Sequence, residues 1–502
     1  MDLEQFIVSS NTVSLSSIFV TLLTTLSMFG YLSLNQTYFF GKNNKINYLS
    51  IKLIILFAYV FIFLAICSFY GAITNHFTFL FYFIGLLIFI ITFFKRKLVT
   101  NFKWIVFSFI FVLIYSINSD ANNDFIYHYD HINLYKNYPI SLFVENMSDS
   151  RIKFNSAYIL LNSVTYIPPL EITIKFLSSF ILSLFIIDLR NFLLKQDINL
   201  YLTKYLSLFI LISVFITLSK FKNIGTDYTA HLFYLSLIIF YLNVYKSDIN
   251  FFKSKNFFLI LSTAISMLIV LKISMILTSL ILIHYISIMV NIRNFQKIFS
   301  LFMIIPLLVI LLWVFQNLQL SNCIIYPINK LCLVSESQIE SIVFVNTIIS
   351  LYAKDIVINY HGMDLSELIK LNSISSWFKI WFFNGFLEVL EKFIPILIIF
   401  NLSIYKFITK NTLQSIKKEF IKFNLLFIII IFTCVLVWFF QAPSFRFGFS
   451  FLVLLFFFIN IYFLKIINFD ISHKITSQYL NNLFNIFLVL FIFYQLIRIY
   501  KY

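Results

Sequence analysis

Apolar runs of about twenty residues, long enough to carry a helix across a bilayer, recur along the chain with polar stretches between them. The pattern predicts membrane-spanning helices at 13–34, 49–71, 76–94, 102–118, 172–188, 203–219, 229–245, 257–271, 273–290, 298–317, 392–408, 423–441, 447–465 and 478–497. The apolar run 257–290 is too long for one crossing, and Lys272 interrupts it. It is therefore read as two short helices that meet at that lysine.

Two of the polar interruptions are long, at 119–171 and 318–391. The first opens with Ser119-Asp120-Ala121-Asn122-Asn123-Asp124-Phe125-Ile126-Tyr127-His128-Tyr129-Asp130-His131 and runs on to Arg151-Ile152-Lys153-Phe154-Asn155-Ser156. The second carries helical patterns at 338–352 and 377–389. Trp377 and Trp381 stand four apart, which predicts an amphipathic helix lying in the membrane interface. No internal repeat of the inverted-transporter kind is visible.

Charge orients the chain. With the N-terminus outside and the spans alternating, 22 of the 37 basic residues and only five of the 21 acids fall on the inner side. That asymmetry follows the positive-inside rule, with Arg498 and Lys501 as misfits. It assigns the net charge of +16 to the membrane and not to a nucleic acid. Hydrophobic residues make up 61% of the chain and mean hydropathy is +0.92, beyond what a soluble core could hide. Glycine is scarce, with eight residues, so small-residue helix contacts are not expected to be readable. The acidic start Met1-Asp2-Leu3-Glu4 has no basic n-region, and no cleavable signal peptide is expected.

The outer side then collects the candidate chemistry. Asp124, His128, His131 and Tyr135 are spaced as one stripe on a helix. A carboxylate there can take a proton from an incoming hydroxyl, which makes Asp124 the candidate general base and Asp130 its understudy. The same spacing suits a divalent metal ion, and a helix with one wet face is the plainer reading. Lys272 is a charge inside an apolar run, costly unless paired or functional. Arg446, in Pro443-Ser444-Phe445-Arg446-Phe447-Gly448, opens an apolar span, and Arg151 closes the first loop. These three cations suit a lipid-borne phosphate, with snorkelling to the interface as the alternative. Asp227 follows Gly225-Thr226 and is either a helix cap or a sugar-binding carboxylate. Cys67 and Cys434 lie in apolar runs, whereas Cys323 and Cys332 share the polar loop and can form a disulfide if that loop is outside.

Asp124-Phe125-Ile126-Tyr127-His128, the Arg151–Ser156 segment, Gly225-Thr226-Asp227, Cys323-Ile324-Ile325-Tyr326-Pro327 with Cys332, and Pro443–Phe447 together resemble the GT-C class of integral-membrane glycosyltransferases, which use polyprenyl-phosphate sugar donors. The likeness covers 102–466 and is similar to a bacterial branch of polytopic proteins with that plan. It implies that Asp124 is catalytic, that Lys272, Arg446 and Arg151 bind donor phosphate, and that His128, His131, Asp227 and Tyr326 bind or orient substrate. One departure is clear: the catalytic loop of that class follows the first helix, and here it follows the fourth.

The expectation is an all-α polytopic membrane protein of about 13–14 transmembrane helices, GT-C-like, with interfacial helices in the two outer loops. Residues 1–101 would be an N-terminal addition, 102–466 the core and 467–502 a terminal helix, with no large soluble C-terminal domain. The expected activity is inverting transfer of a sugar from a polyprenyl-phosphate donor to a glycan, lipid or protein acceptor, outside the bacterial inner membrane. No cofactor is assigned and a divalent metal ion is left open, and the partners are the two substrates and the lipid bilayer, not nucleic acid. An O-antigen polymerase or ligase and a lipid-linked-sugar transporter are the competing readings. The first predicts essential outer arginines, and the second predicts broken helices in paired halves.

Overall fold

The computed structural model describes residues 15–38, 48–95, 102–117, 123–143, 150–168, 173–194, 201–217, 226–290, 303–334, 336–354, 365–405 and 425–466, with a few positions between 482 and 489. Among these residues the architecture is helical, with no strand. Seven helices are long and apolar enough to cross a membrane, and six shorter apolar helices accompany them. The expected span 478–497 lies largely outside the described residues.

The first half of the chain forms α1 (Leu15–Tyr38), α2 (Leu49–Tyr70), α3 (Asn75–Phe94), α4 (Phe102–Ile117), α5 (Asn123–Asn137), α6 (Ala157–Thr165), α7 (Phe176–Leu193), α8 (Tyr201–Ile216) and α9 (Thr226–Ser247). The second half forms α10 (Lys255–Leu271), α11 (Leu280–Val290), α12 (Ile304–Ser321), α13 (Glu336–Ala353), α14 (Leu365–Leu371), α15 (Ile374–Tyr405), α16 (Leu425–Gln441) and α17 (Phe445–Ile466).

Burial separates the centre from the edge. In α9, 94% of the span is buried, against 22% in α3, whose Phe79, Phe83, Leu87 and Phe94 face outward as lipid-facing side chains do. Helix α2 packs on α7, α9, α10 and α12, so a helix from the segment expected as an addition lies in the middle of the bundle. Its N-terminus is capped from α7. The Asp188 carboxylate accepts from the backbone N–H groups of Leu49 at 2.9 Å and Ser50 at 2.8 Å, and from the Ser50 hydroxyl. A carboxylate at a helix N-terminus meets both the orphan donors and the dipole. Asp188 and Lys52 are both buried.

Two close contacts between helices rest on particular residues. Glycine is rare, but Gly30 and Gly85 make the crossing of α1 with α3. A Cβ on Gly30 would stand 2.0 Å from the Gly85 carbonyl oxygen, and one on Gly85 would stand 2.0 Å from Ser27 Oγ. The close approach of the two backbones needs hydrogen at both positions. The second contact is made by Trp377 and Trp381. Both indoles are buried, at 1% and 5% exposure, and their helix runs on without a break through Pro395 as α15. The indoles are packed between α15 and α16, Trp377 on Phe439 and Trp381 on Trp438 and Phe439.

The 257–290 segment folds as expected from its central charge. Helix α10 ends at Leu271, Lys272 adopts an extended conformation (φ −155°, ψ 119°), and a 3-10 helix Ile273–Ser279 leads into α11. The returning arm reaches the base of α10, where the Tyr285 hydroxyl donates to the Phe252 carbonyl at 3.1 Å. Lys272 therefore stands at the apex of a hairpin.

Candidate functional site

Three helix ends that are remote in sequence meet at Lys272. Its Nζ donates to Asp227 Oδ1 at 2.5 Å, and the two side chains are 8% and 25% exposed. Asp227 lies in the first turn of α9, where a carboxylate also meets the positive end of the helix. It stands inside the helix, one residue after Thr226, and its Oδ1 accepts from the lysine. From α17, the Phe447 ring lies 4.2 Å from Lys272 Nζ and 4.8 Å from the Arg446 guanidinium carbon. The ring face holds both cations by their attraction to its quadrupole. Arg446 also acts electrostatically on Asp227 and Lys272. Among the described residues the cluster sets two cations, Lys272 and Arg446, around one carboxylate. Two cations beside the N-terminus of α17 form an arrangement that can hold an anion.

The turn that delivers Arg446 is held by two indoles. Trp381 Nε1 donates to the Pro443 carbonyl at 2.8 Å and Trp438 Nε1 to the Ser444 carbonyl at 2.9 Å. The rings themselves meet edge to face at 6.4 Å. Ser444 N–H donates to the Ala353 carbonyl at 3.0 Å, which ties the turn to the end of α13. Gly448 and Gly385 make room for the indoles: a Cβ at either would stand 2.3 Å from Trp438 or Trp381 respectively. Next to Ala353, the buried Lys354 donates to the carbonyl and side-chain oxygen of Asn372 and lies 5.3 Å from the Trp377 ring. Burial pushes the Lys354 ammonium below the usual lysine range.

A second set of bonds joins this cluster to the first loop. Ser156 caps α6, and its hydroxyl donates to the Leu271 carbonyl at 2.6 Å, immediately before Lys272. Asn155 receives the Tyr135 hydroxyl at 3.2 Å on its Oδ1 and the Trp313 indole at 3.2 Å on its carbonyl. Its amide donates to Gln316 at 3.1 Å, and Gln316 donates in turn to Ser68 at 3.2 Å. The residues Asn155 and Ser156 thus connect α5 to the hairpin apex.

Helix α5 carries Asp124 in its first turn, and Asp130 further along is half-buried. The expected wet stripe turns inward over most of its length. His131 and Tyr135 are fully buried and His128 is 9% exposed. His131 stacks on Tyr135 at 5.4 Å and meets Phe143 edge-on at 6.2 Å. Burial, reinforced by His128, pushes the His131 imidazole down to about 3, so the ring is neutral and packs as an aromatic. Burial also raises the Tyr135 hydroxyl, and it pushes Lys136 down to about 7. Lys136 Nζ donates to Thr78 Oγ1 at 2.5 Å, fastening α5 to α3.

Of the remaining candidates, Arg151 has its backbone in the 3-10 helix Ser150–Lys153. Cys323 and Cys332 are joined in a disulfide. Tyr326 is 8% exposed in a small core with Cys323 and Ile342, edge-on to Phe154 at 5.0 Å. The tyrosine packs in that loop. Among the described residues no group of three or more His, Cys, Asp or Glu stands together as a metal site.

The structure thus brings together Lys272, Asp227 and Arg446, and it adds Phe447, Trp381, Trp438 and His231. His231 was findable, since it follows Asp227 by four positions and shares its helix face. The indole clamp left no local signal.

A family model described as a domain of unknown function, DUF8201, matches residues 13–453, from the first span well into α17. No curated protein and no solved structure matches the chain.

Proposed function

The chain belongs to the DUF8201 family, and we propose that it is a membrane glycosyltransferase taking its sugar from a polyprenyl-phosphate donor. The observation that carries this reading is the convergence of Lys272 and Arg446 on the Phe447 ring, with Asp227 paired to the lysine, so that two cations meet one carboxylate among the described residues. A lipid phosphate presents its anion where apolar helices end, and that is where the cluster stands. The bonds from α5 through Asn155 and Ser156 to Leu271 support a base and an anion site acting as one unit.

In the proposed reaction Asp124 takes the proton from an acceptor hydroxyl, with Asp130 as the alternate base. The acceptor oxygen forms a bond to the anomeric carbon as the bond from that carbon to the phosphate oxygen breaks. The electron pair leaves with the lipid phosphate, which Lys272 and Arg446 stabilise, with Arg151 as a third cation. Attack opposite the leaving group inverts the anomeric centre. The acceptor is a cell-surface glycan, lipid or protein on the outer face of a bacterial inner membrane. The basic inner loops and the Cys323–Cys332 bridge support that sidedness. His128, His131 and Tyr326 serve this reading by packing α5 and the disulfide loop. Asp227 sets the charge of the donor site.

The test is transfer by the full chain in nanodiscs supplied with a polyprenyl-phosphate sugar and candidate acceptors. Transfer by wild type, abolished in Asp124→Asn and with a raised donor KM in Lys272→Met, is the expected result. Movement of the lipid-linked sugar between leaflets without transfer would overturn the reading in favour of a transporter.

A further inference from the structure

His231 is fully buried on α9, one turn after Asp227, and both its ring nitrogens are engaged by α17. Nε2 lies 2.9 Å from the Arg446 carbonyl oxygen, and Nδ1 lies 2.7 Å from Ser450 Oγ. A carbonyl oxygen can only accept, so Nε2 carries the hydrogen. The Ser450 backbone N–H points at Nδ1 from 3.5 Å, so Nδ1 presents its lone pair and accepts a hydrogen bond from the Ser450 hydroxyl. A proton on Nδ1 would set N–H against N–H and place a third positive charge beside Lys272 and Arg446. Phe449 and Phe451 meet the imidazole edge-on, each at 6.2 Å, and hold its plane.

We propose that His231 is a positioning residue, whose neutral Nε2–H tautomer ties the main chain of Arg446 to α9 and so fixes the guanidinium over the ring that Lys272 also approaches. The same helix face then supplies both parts of the anion site: Asp227 sets its charge, and His231 sets where its arginine stands. His231 acts through Arg446 and does not touch substrate. The functional consequence rests on the donor-phosphate reading, whereas the tautomer does not.

The experiment uses the full chain in nanodiscs with nitrogen-15-labelled histidines, the His231 signals being taken by difference from His231→Gln. A protonated Nε2 with a bare Nδ1 at neutral pH is expected, and an Nδ1–H tautomer or an imidazolium would overturn the proposal. Direct binding of a short-chain polyprenyl phosphate is measured alongside. His231→Phe keeps the ring packing and loses both bonds, and it should bind about tenfold more weakly. His231→Gln retains a donor for the Arg446 carbonyl and should recover affinity to within about threefold of wild type. Equal binding by wild type and His231→Phe would sink the positioning role. If His231→Phe does not fold, Ser450→Ala replaces it, with a smaller loss expected and unchanged affinity counting against the proposal. Absence of polyprenyl-phosphate binding by wild type would overturn the donor reading instead, and the tautomer would still decide His231.

Discussion

Asp227 and Lys272 stand 45 positions apart in the chain and close an ion pair of 2.5 Å where α9 begins and the α10 hairpin turns. Each keeps the other from being an isolated charge among apolar helices, and Arg446 acts on the same carboxylate. Breaking such a pair from one side strands the partner, which costs about 3–5 kcal/mol, whereas removing both groups costs much less. Lys272→Met and Asp227→Asn should each lower the unfolding temperature markedly in detergent, and the double variant should regain most of the loss. Additive losses would show that the two charges are not coupled. Donor binding should separate the variants further, since only Lys272→Met and the double variant lose a cation.

The indole clamp makes a steric prediction. Gly448→Ala sets a Cβ 2.3 Å from the Trp438 ring, and the indole must move off the Ser444 carbonyl. Overpacking of this kind costs about 1–3 kcal/mol. Trp438→Phe in the same chain should relieve the clash and restore stability without restoring the turn. Thermal unfolding reads the first effect, and donor affinity, which depends on where the turn holds Arg446, reads the second.

Helix α5 gives the pH dependence. Lys136 is pushed from about 10.5 down to about 7 in the folded chain. Between those values the unfolded chain holds a proton that the folded chain has released, so stability rises with pH across that window. His131 is pushed from 6.5 to about 3, again leaving the unfolded chain with more bound protons, so stability is lost as pH falls through 6.5 toward 3. Thermal unfolding of wild type should therefore improve from pH 7 to pH about 9.5 relative to Lys136→Met. His131→Phe should flatten the acid limb. A Lys136→Met chain with an unchanged alkaline slope would show that another group carries it.

The Ser156 hydroxyl is the tie between the first loop and the hairpin apex. Ser156→Ala should cost about 1 kcal/mol of local stability and leave the rest of the bundle intact. Hydrogen exchange should rise at the Lys272 and Met275 amides, which close the apex at 3.1 Å and 2.9 Å. Unchanged exchange there would mean that the hairpin holds itself.

Much of this protein is written in one dimension. The apolar runs specify helices because the backbone must bond internally where water is absent, and the break at Lys272 follows because a charge there cannot stay in an unpaired apolar helix. Arg446 and Asp227 were legible for the same reason, as polar residues at the ends of apolar runs. Which of these ends meet is not local information. The pairing of Asp227 with Lys272, the neutral His231 under Arg446, and the Trp381 and Trp438 bonds to successive carbonyls depend on how α9, α10, α15, α16 and α17 pack. The stripe on α5 shows the limit most clearly. Spacing placed His128, His131 and Tyr135 on one face, but only the helices packed around α5 determine that this face is buried. A polar pattern records which residues share a side; the free energy of covering that side belongs to the neighbours.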